Sequence, residues 1–159
     1  MAIVPLADLS RFDLAKVHAG IEEIRRFNPQ RHEMEQLSAI VHFSLDEGLA
    51  IARRDVRSDE FWVRGHIPGR PVFPGVLMIE ASAQLATYYY KHYFPDLVER
   101  FMVFRGADDF RFRGQVVPGD TLYMLARGAS LKPRMGKFDV QGIRNGEVVF
   151  EGIILGAPT

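Results

Sequence analysis

The chain contains no cysteine, so disulfides, thiolate metal sites and a cysteine nucleophile are all excluded, and a reducing, cytoplasmic setting is expected. It also has no net charge: twenty basic residues cancel twenty acidic ones. That balance argues against a bulk nucleic-acid binder, whose domain carries a marked positive excess. No apolar run approaches the roughly 18 residues that a membrane span needs. The opening stretch MAIVPLADLSRFD lacks the basic and apolar regions of a signal peptide. Walker loops, HExxH, serine elbows and GxGxxG are missing too, so a nicotinamide enzyme is not expected.

What is present fits one globular domain over 1–159, with 47% hydrophobic and 25% charged residues. Leu14, Val17, Ile21 and Ile24 recur at helical spacing behind Asp13, a candidate N-cap. The pattern predicts an N-terminal helical segment over about 6–27, stopped by Asn28-Pro29. Alternation from Glu35 to Leu45 predicts a strand, and Asp46-Glu47-Gly48 turns it into a second, Leu49 to Val56. The last third predicts strands at Phe101–Phe104, Phe110–Val117, Thr121–Ala129, Phe138–Arg144 and Glu147–Leu155. Asn145-Gly146 marks a hairpin.

The middle differs in kind. GHIPGRPVFPG, residues 65–75, has three glycines and three prolines in eleven residues, which predicts a rigid irregular loop. VLMIEASAQLATYYYKHYF follows, with only Glu80 and Lys91 formally charged. A helix apolar almost all round is buried on most sides. One buried helix with hairpin-linked strands predicts an α+β domain whose antiparallel sheet curls around the helix.

Glu80 is the anomaly, because a carboxylate buried unpaired costs several kcal/mol. The helix dipole behind Pro74-Gly75 supplies only about 0.3–1 kcal/mol, so a partner, water or a shifted pKa is required. Gln84, one turn on, is a candidate neighbour. His66 stands in the rigid loop and can act as a general base near neutral pH. A lone histidine is more often structural, and His18, His32, His42 and His92 fit that description. Gly75 opens the helix, where unsatisfied backbone N–H groups can face a ligand. A base, a carboxylate and an oxyanion donor beside an apolar helix suit proton abstraction next to a carbonyl.

GHIPGRPVFPGVLMIEASAQLA resembles the signature of β-hydroxyacyl–acyl carrier protein dehydratases of the FabZ type, a histidine in GHFPGxPVxPG followed by a glutamate in VLxxEAxAQ. FRGADDFRFRGQVVPGD and the closing hairpin extend the similarity over roughly residues 50–157. The resemblance implies a hotdog fold and reversible loss of water from a β-hydroxyacyl thioester, giving a trans-2-enoyl product in fatty acid biosynthesis. It implies His66 as base, Glu80 as acid, Gly75 as oxyanion donor and Gln84 in support, with no metal or redox cofactor. It further implies acyl carrier protein as partner and a homodimer whose sites take histidine and glutamate from different chains, with assembly into hexamers. Aspartate is typical of the isomerising relatives, so Glu80 favours the non-isomerising type. The chain departs from the family at 28–35, NPQRHEME, where an apolar PFLLVD run is usual, and at Ile67, where phenylalanine is usual. A thioester hydrolase using Glu80, and an acyl-binding paralogue without turnover, are the alternatives on the same scaffold. Sixteen of the twenty basic residues are arginine. Arg111 and Arg113 alternate with Phe110 and Phe112, as a solvated strand face or a carrier-docking face.

Overall fold

The computed structural model describes residues 3–159. Six strands form one antiparallel sheet: β1 (Ala39–Ser44), β2 (Leu49–Asp55), β3 (Met102–Phe112), β4 (Thr121–Lys132), β5 (Met135–Arg144) and β6 (Glu147–Pro158). Their order across the sheet is β1-β2-β4-β5-β6-β3, which leaves β1 and β3 as the edges. Two helices complete the chain, α1 (Ile21–Phe27) and α2 (Gly75–Tyr93). The sheet wraps α2, the hotdog arrangement that the resemblance implies.

Period-two patterning explains the wrapping. In β2, Ala50 and Ala52 face α2, whereas Leu49 and Ile51 face away; in β4, Leu122, Met124 and Ala126 face the helix and Leu125 faces away. Small residues on the inner side of β2 leave room for Leu77, Met78, Ala81 and Leu85 and for three consecutive buried tyrosines, Tyr88 to Tyr90. Asn145 and Gly146 both adopt positive φ, 50° and 79°, the primed hairpin turn expected between β5 and β6.

The N-terminal expectation fails in its first half. Instead of one helix over about 6–27, residues 9–11 form a single 3-10 turn and α1 begins only at Ile21. Asp13 accepts from the N–H of Ala15 at 3.1 Å in a local turn and does not cap a helix. His18 and Ala19 then bond to the backbone of Ile40, extending the sheet. The apolar side chains of this stretch are spent elsewhere. Leu6, Leu9, Phe12 and Leu14 cover a second cluster on the outer sheet face, formed by Val41, Leu49, Ile51, Leu125 and Ile143. Gln141 clasps this strap by accepting from the N–H of Leu6 at 2.6 Å and donating to the carbonyl of Val4 at 3.1 Å, and Arg127 donates to the carbonyl of Leu6. Tertiary packing has overridden local periodicity.

The two strands expected at 101–104 and 110–117 are one strand to Phe112, after which the chain leaves the sheet. Residues 105–109, RGADD, continue the strand across the expected gap because main-chain pairing with β6 does not depend on side-chain polarity. Register shifts at Phe104/Gly106 and Asp108/Arg111 absorb the strain.

Sheet closure relies on glycines where rings cross the strands. A Cβ on Gly142 would lie 2.1 Å from Cε1 of the fully buried Phe150. Gly142→Ala is therefore expected to lower stability by about 1–3 kcal/mol or more, read as a lower denaturant midpoint. An unchanged midpoint would contradict this packing.

Candidate active site

The loop before α2 is fixed from several sides. Trp62 is buried and its carbonyl accepts the N–H of His66 at 2.7 Å. Ile67 is held at φ 62°, a left-handed conformation uncommon for a β-branched residue, and the next turn closes by a bond from Arg70 N–H to the Ile67 carbonyl. Phe73 N–H donates to the Val116 carbonyl at 2.7 Å, which ties the end of the loop to the segment after β3. Within this frame Nδ1 of His66 lies 2.6 Å from the Val72 carbonyl oxygen. A carbonyl can only accept, so Nδ1 carries the proton and, in the neutral ring, Nε2 holds the free lone pair.

Pro74 starts α2 without any side-chain cap. Leu77 and Met78 N–H bond back to the Pro74 carbonyl, and among the described residues the Gly75 N–H has no backbone partner. The ring of Phe112 lies over Gly75: a Cβ there would come within 3.0 Å of Cε1 and Cζ. A larger residue there would have to push that ring aside.

Glu80 sits one and a half turns along, half-buried, and its Oε1 accepts from Nε2 of Gln84 at 2.8 Å. Gln84 is buried and its carboxamide is saturated. Oε1 accepts from the N–H of Gln36 at 2.9 Å, and Nε2 also donates to the carbonyl of Met34 at 2.7 Å. Asn28 adds a bond to the Gln84 carbonyl. Segment 28–36 therefore lies against the Glu80 side of α2. Within one chain no hydrogen bond joins His66 to Glu80 among the described residues, and none of His66, Gly75 and Glu80 lines the cavity of about 710 Å³ beneath residues 53–61.

That cavity borders a network not read from the sequence. Arg54 and Glu60 form a bidentate ion pair at 2.9 and 2.5 Å, with side chains only 5% and 8% exposed. Glu60 also accepts from Arg57 N–H and from the Trp62 indole, both at 2.8 Å, and Arg54 donates to Oε1 of Gln36 at 3.0 Å. The only signals for it were the charged end of β2, Arg53-Arg54-Asp55, and the single tryptophan. Arg111 is exposed, but Arg113 lies beyond β3 and its guanidinium pairs with Glu151 at 2.6 Å, so the two do not form one free strand face. Among the described residues no group of His, Asp and Glu is arranged to hold a metal ion, and no helix is long and apolar enough to cross a membrane.

Comparison with known proteins gives the class. The FabA-like domain family matches residues 28–153. A 3-hydroxyacyl-[acyl-carrier-protein] dehydratase FabZ from Herpetosiphon aurantiacus is 36% identical over 133 residues, covering 83% of this chain and 92% of that protein. The corresponding protein of Moorella thermoacetica is 39% identical over 106 residues, 67% of this chain and 73% of its own length. A bifunctional enzyme LpxC/FabZ from Chlorobaculum tepidum is 34% identical over 141 residues, 89% of this chain but only 30% of that longer protein. Among solved structures, the dehydratase heterocomplex ApeI:P from Xenorhabdus doucetiae superposes with a TM-score of 0.73 at 16% identity, covering 86% of this chain and 90% of that one. An uncharacterised protein of Pyrococcus horikoshii, PH1136, gives 0.60 at 17% identity, covering 83% and 92%, which supports the fold alone. The chain belongs to the FabA-like family, as a hotdog dehydratase of the FabZ type.

The Arg54–Glu60 pair carries a pH dependence. Burial pushes the Glu60 carboxyl up, but bonds from Arg54, Arg57 N–H and Trp62 together outweigh it, and its pKa lies below the ordinary 4.5. Protonating Glu60 thus costs the folded state more than the unfolded one. Its contribution is full above about 4.5 and fades as pH falls through the lower folded value. Glu35, bonded to Arg25 by two hydrogen bonds, shifts in the same direction. Glu60→Gln is expected to lose about 3–5 kcal/mol at neutral pH, because Arg54 is left buried without its counter-charge, and to flatten the decline in stability below pH 4.5. Denaturant titrations at pH 7 and pH 4 test this, and parallel pH curves for variant and wild type would refute it.

Proposed function

We propose that this chain catalyses the reversible elimination of water from a β-hydroxyacyl thioester borne by acyl carrier protein, giving the trans-2-enoyl thioester of fatty acid biosynthesis. The observation that carries the assignment of roles is the contact of His66 Nδ1 with the Val72 carbonyl, because it leaves Nε2 as the free base on a fixed ring. Nε2 takes the proton from the carbon beside the thioester carbonyl, and the C–H electron pair moves into an enolate. Charge gathers on the carbonyl oxygen, where the open Gly75 N–H donates to it. Such a donor is typically worth about a hundred- to a thousand-fold in rate. Glu80, its carboxyl oriented by Gln84, gives a proton to the β-hydroxyl as the C–O bond breaks and water leaves. General acid–base help contributes roughly a hundred- to ten-thousand-fold per group. Proton exchange with solvent then resets both residues.

The site is read as shared between two copies. His66 and Glu80 of one chain bond to different partners and not to each other. Edge strand β3 is eleven residues long, with Phe104 and Phe112 about half exposed and Phe101 beside them. An uncovered edge of that length is a template for a second strand, and a symmetric partner satisfies it. Acyl carrier protein, being acidic, is met by exposed arginines around the His66 loop, Arg64 and Arg70, together with Arg111.

His66→Ala is expected to abolish hydration of crotonyl thioesters while circular dichroism and oligomeric state stay unchanged. Glu80→Gln should lower kcat by about a hundred-fold or more with binding retained. Loss of enoyl absorbance without release of free thiol identifies hydration. Substantial turnover by His66→Ala would overturn the assigned base, and thiol release by the wild type would replace the dehydratase by a hydrolase.

A further inference from the structure

Arg54 lies in β2, and nothing in the proposed chemistry uses it, yet its guanidinium is the meeting point of two hydrogen-bonded branches. One branch runs through Glu60, which takes the indole N–H of Trp62, and the Trp62 carbonyl takes the backbone N–H of His66. The other runs through Gln36. Its Oε1 accepts from Arg54 at 3.0 Å and its Nε2 donates to the Glu33 carbonyl at 2.8 Å, so the side chain is clamped at both ends. That clamp sets the backbone N–H of Gln36, which donates to Oε1 of Gln84. An amide whose oxygen is engaged on one side must present its two N–H bonds on the other. Gln84 directs one to Met34 and the other to Glu80.

We propose that Arg54 is a positioning residue for the dehydration: through Gln36 it sets the carboxamide that orients Glu80, and through Glu60 and Trp62 it sets the loop that carries His66. The proposal rests on the dehydratase reading. All members are buried or nearly so, with Gln36 at 1% and Gln84 at 3% exposure, which makes the bonds strong and the cost of leaving one unmade high. The guanidinium carbon also lies over the Phe73 ring, 5.0 Å from its centroid, a contact that holds it besides the ion pair. Arginine is required because its two terminal nitrogens reach both Glu60 oxygens and Gln36 at once, whereas the three N–H bonds of a lysine radiate from a single nitrogen.

Removing Arg54 outright would leave Glu60 buried and uncompensated, a change that destabilises the fold whatever its effect on the site. Gln36→Met is the cleaner variant. It keeps volume, the Arg54–Glu60 pair and the backbone N–H of residue 36, and removes both ends of the side-chain clamp, to Arg54 and to the Glu33 carbonyl. Arg54→Lys is the second variant, since it keeps the charge facing Glu60. Two readouts decide the matter. Hydrogen exchange of the Gln84 side-chain amide, followed by nitrogen-resolved NMR, should quicken about tenfold or more in both variants. Crotonyl-thioester hydration should lose about tenfold in kcat with KM nearly unchanged, because a misaligned acid acts in the transition state only. Unchanged exchange, or faster exchange with wild-type kcat, overturns the role of Arg54. A drop in kcat matched by a rise in KM overturns it as well, since that is general loosening. A wild type without turnover refutes the dehydratase reading, and the exchange rates then still decide whether the relay exists.

Discussion

A carboxylate has to be kept on a helix that is apolar almost all round, and the rest of the site follows from how this is done. The helix dipole offers at most about 1 kcal/mol to Glu80, far below the cost of burying an unpaired charge. Half-burial with one hydrogen bond from a saturated carboxamide meets the need, leaving the second carboxylate oxygen free for chemistry. The buried carboxamide of Gln84 in turn needs main-chain partners against α2, and the carbonyl of Met34 and the N–H of Gln36 supply them, while Asn28 bonds the Gln84 main-chain carbonyl. Losing either of these main-chain partners would leave a buried amide group unsatisfied, at about 1–3 kcal/mol.

Around this helix the sheet has two buried faces rather than one. The inner face packs α2, and the outer face is closed by the strap of Leu6, Leu9, Phe12 and Leu14. This is why Leu49 to Ala52 of β2 and Leu122 to Ala126 of β4 are apolar on both faces, a pattern that a sheet open to water on one side would not need. The strap leaves edge strand β3 as the exposed backbone, which is where a second copy is proposed to add and bring its own residues toward the open amide of Gly75.

Much of this was legible in the residues. The Pro/Gly-rich loop, the long helix from residue 75 and the Asn145-Gly146 hairpin follow from local chemistry: fixed φ angles, positive φ and all-round hydrophobicity. The candidate site was legible as His66, Gly75, Glu80 and Gln84 because they lie within nineteen residues of one loop and one helix. What was not legible depends on contacts distant in sequence. Leu14 and Val17 keep helical spacing, but their segment is drawn out along Ile40 and the outer face, so the helix shrinks to Ile21–Phe27. Gln36 carried no local signal, because its partner Gln84 lies far along the chain and meets it only when segment 28–36 folds against α2.

The claim on which the proposed chemistry hangs is that each active centre takes its imidazole and its carboxyl group from different copies of the chain. Mixing subunits tests it most directly. His66→Ala and Glu80→Gln chains, each inactive alone, are co-expressed and the mixed dimers isolated by orthogonal tags. A mixed dimer then has one centre with both groups intact and one with neither, so crotonyl-thioester hydration should return to about half the wild-type rate per dimer. Mixed dimers as inactive as either parent would show that both groups must come from a single chain, contradicting the account.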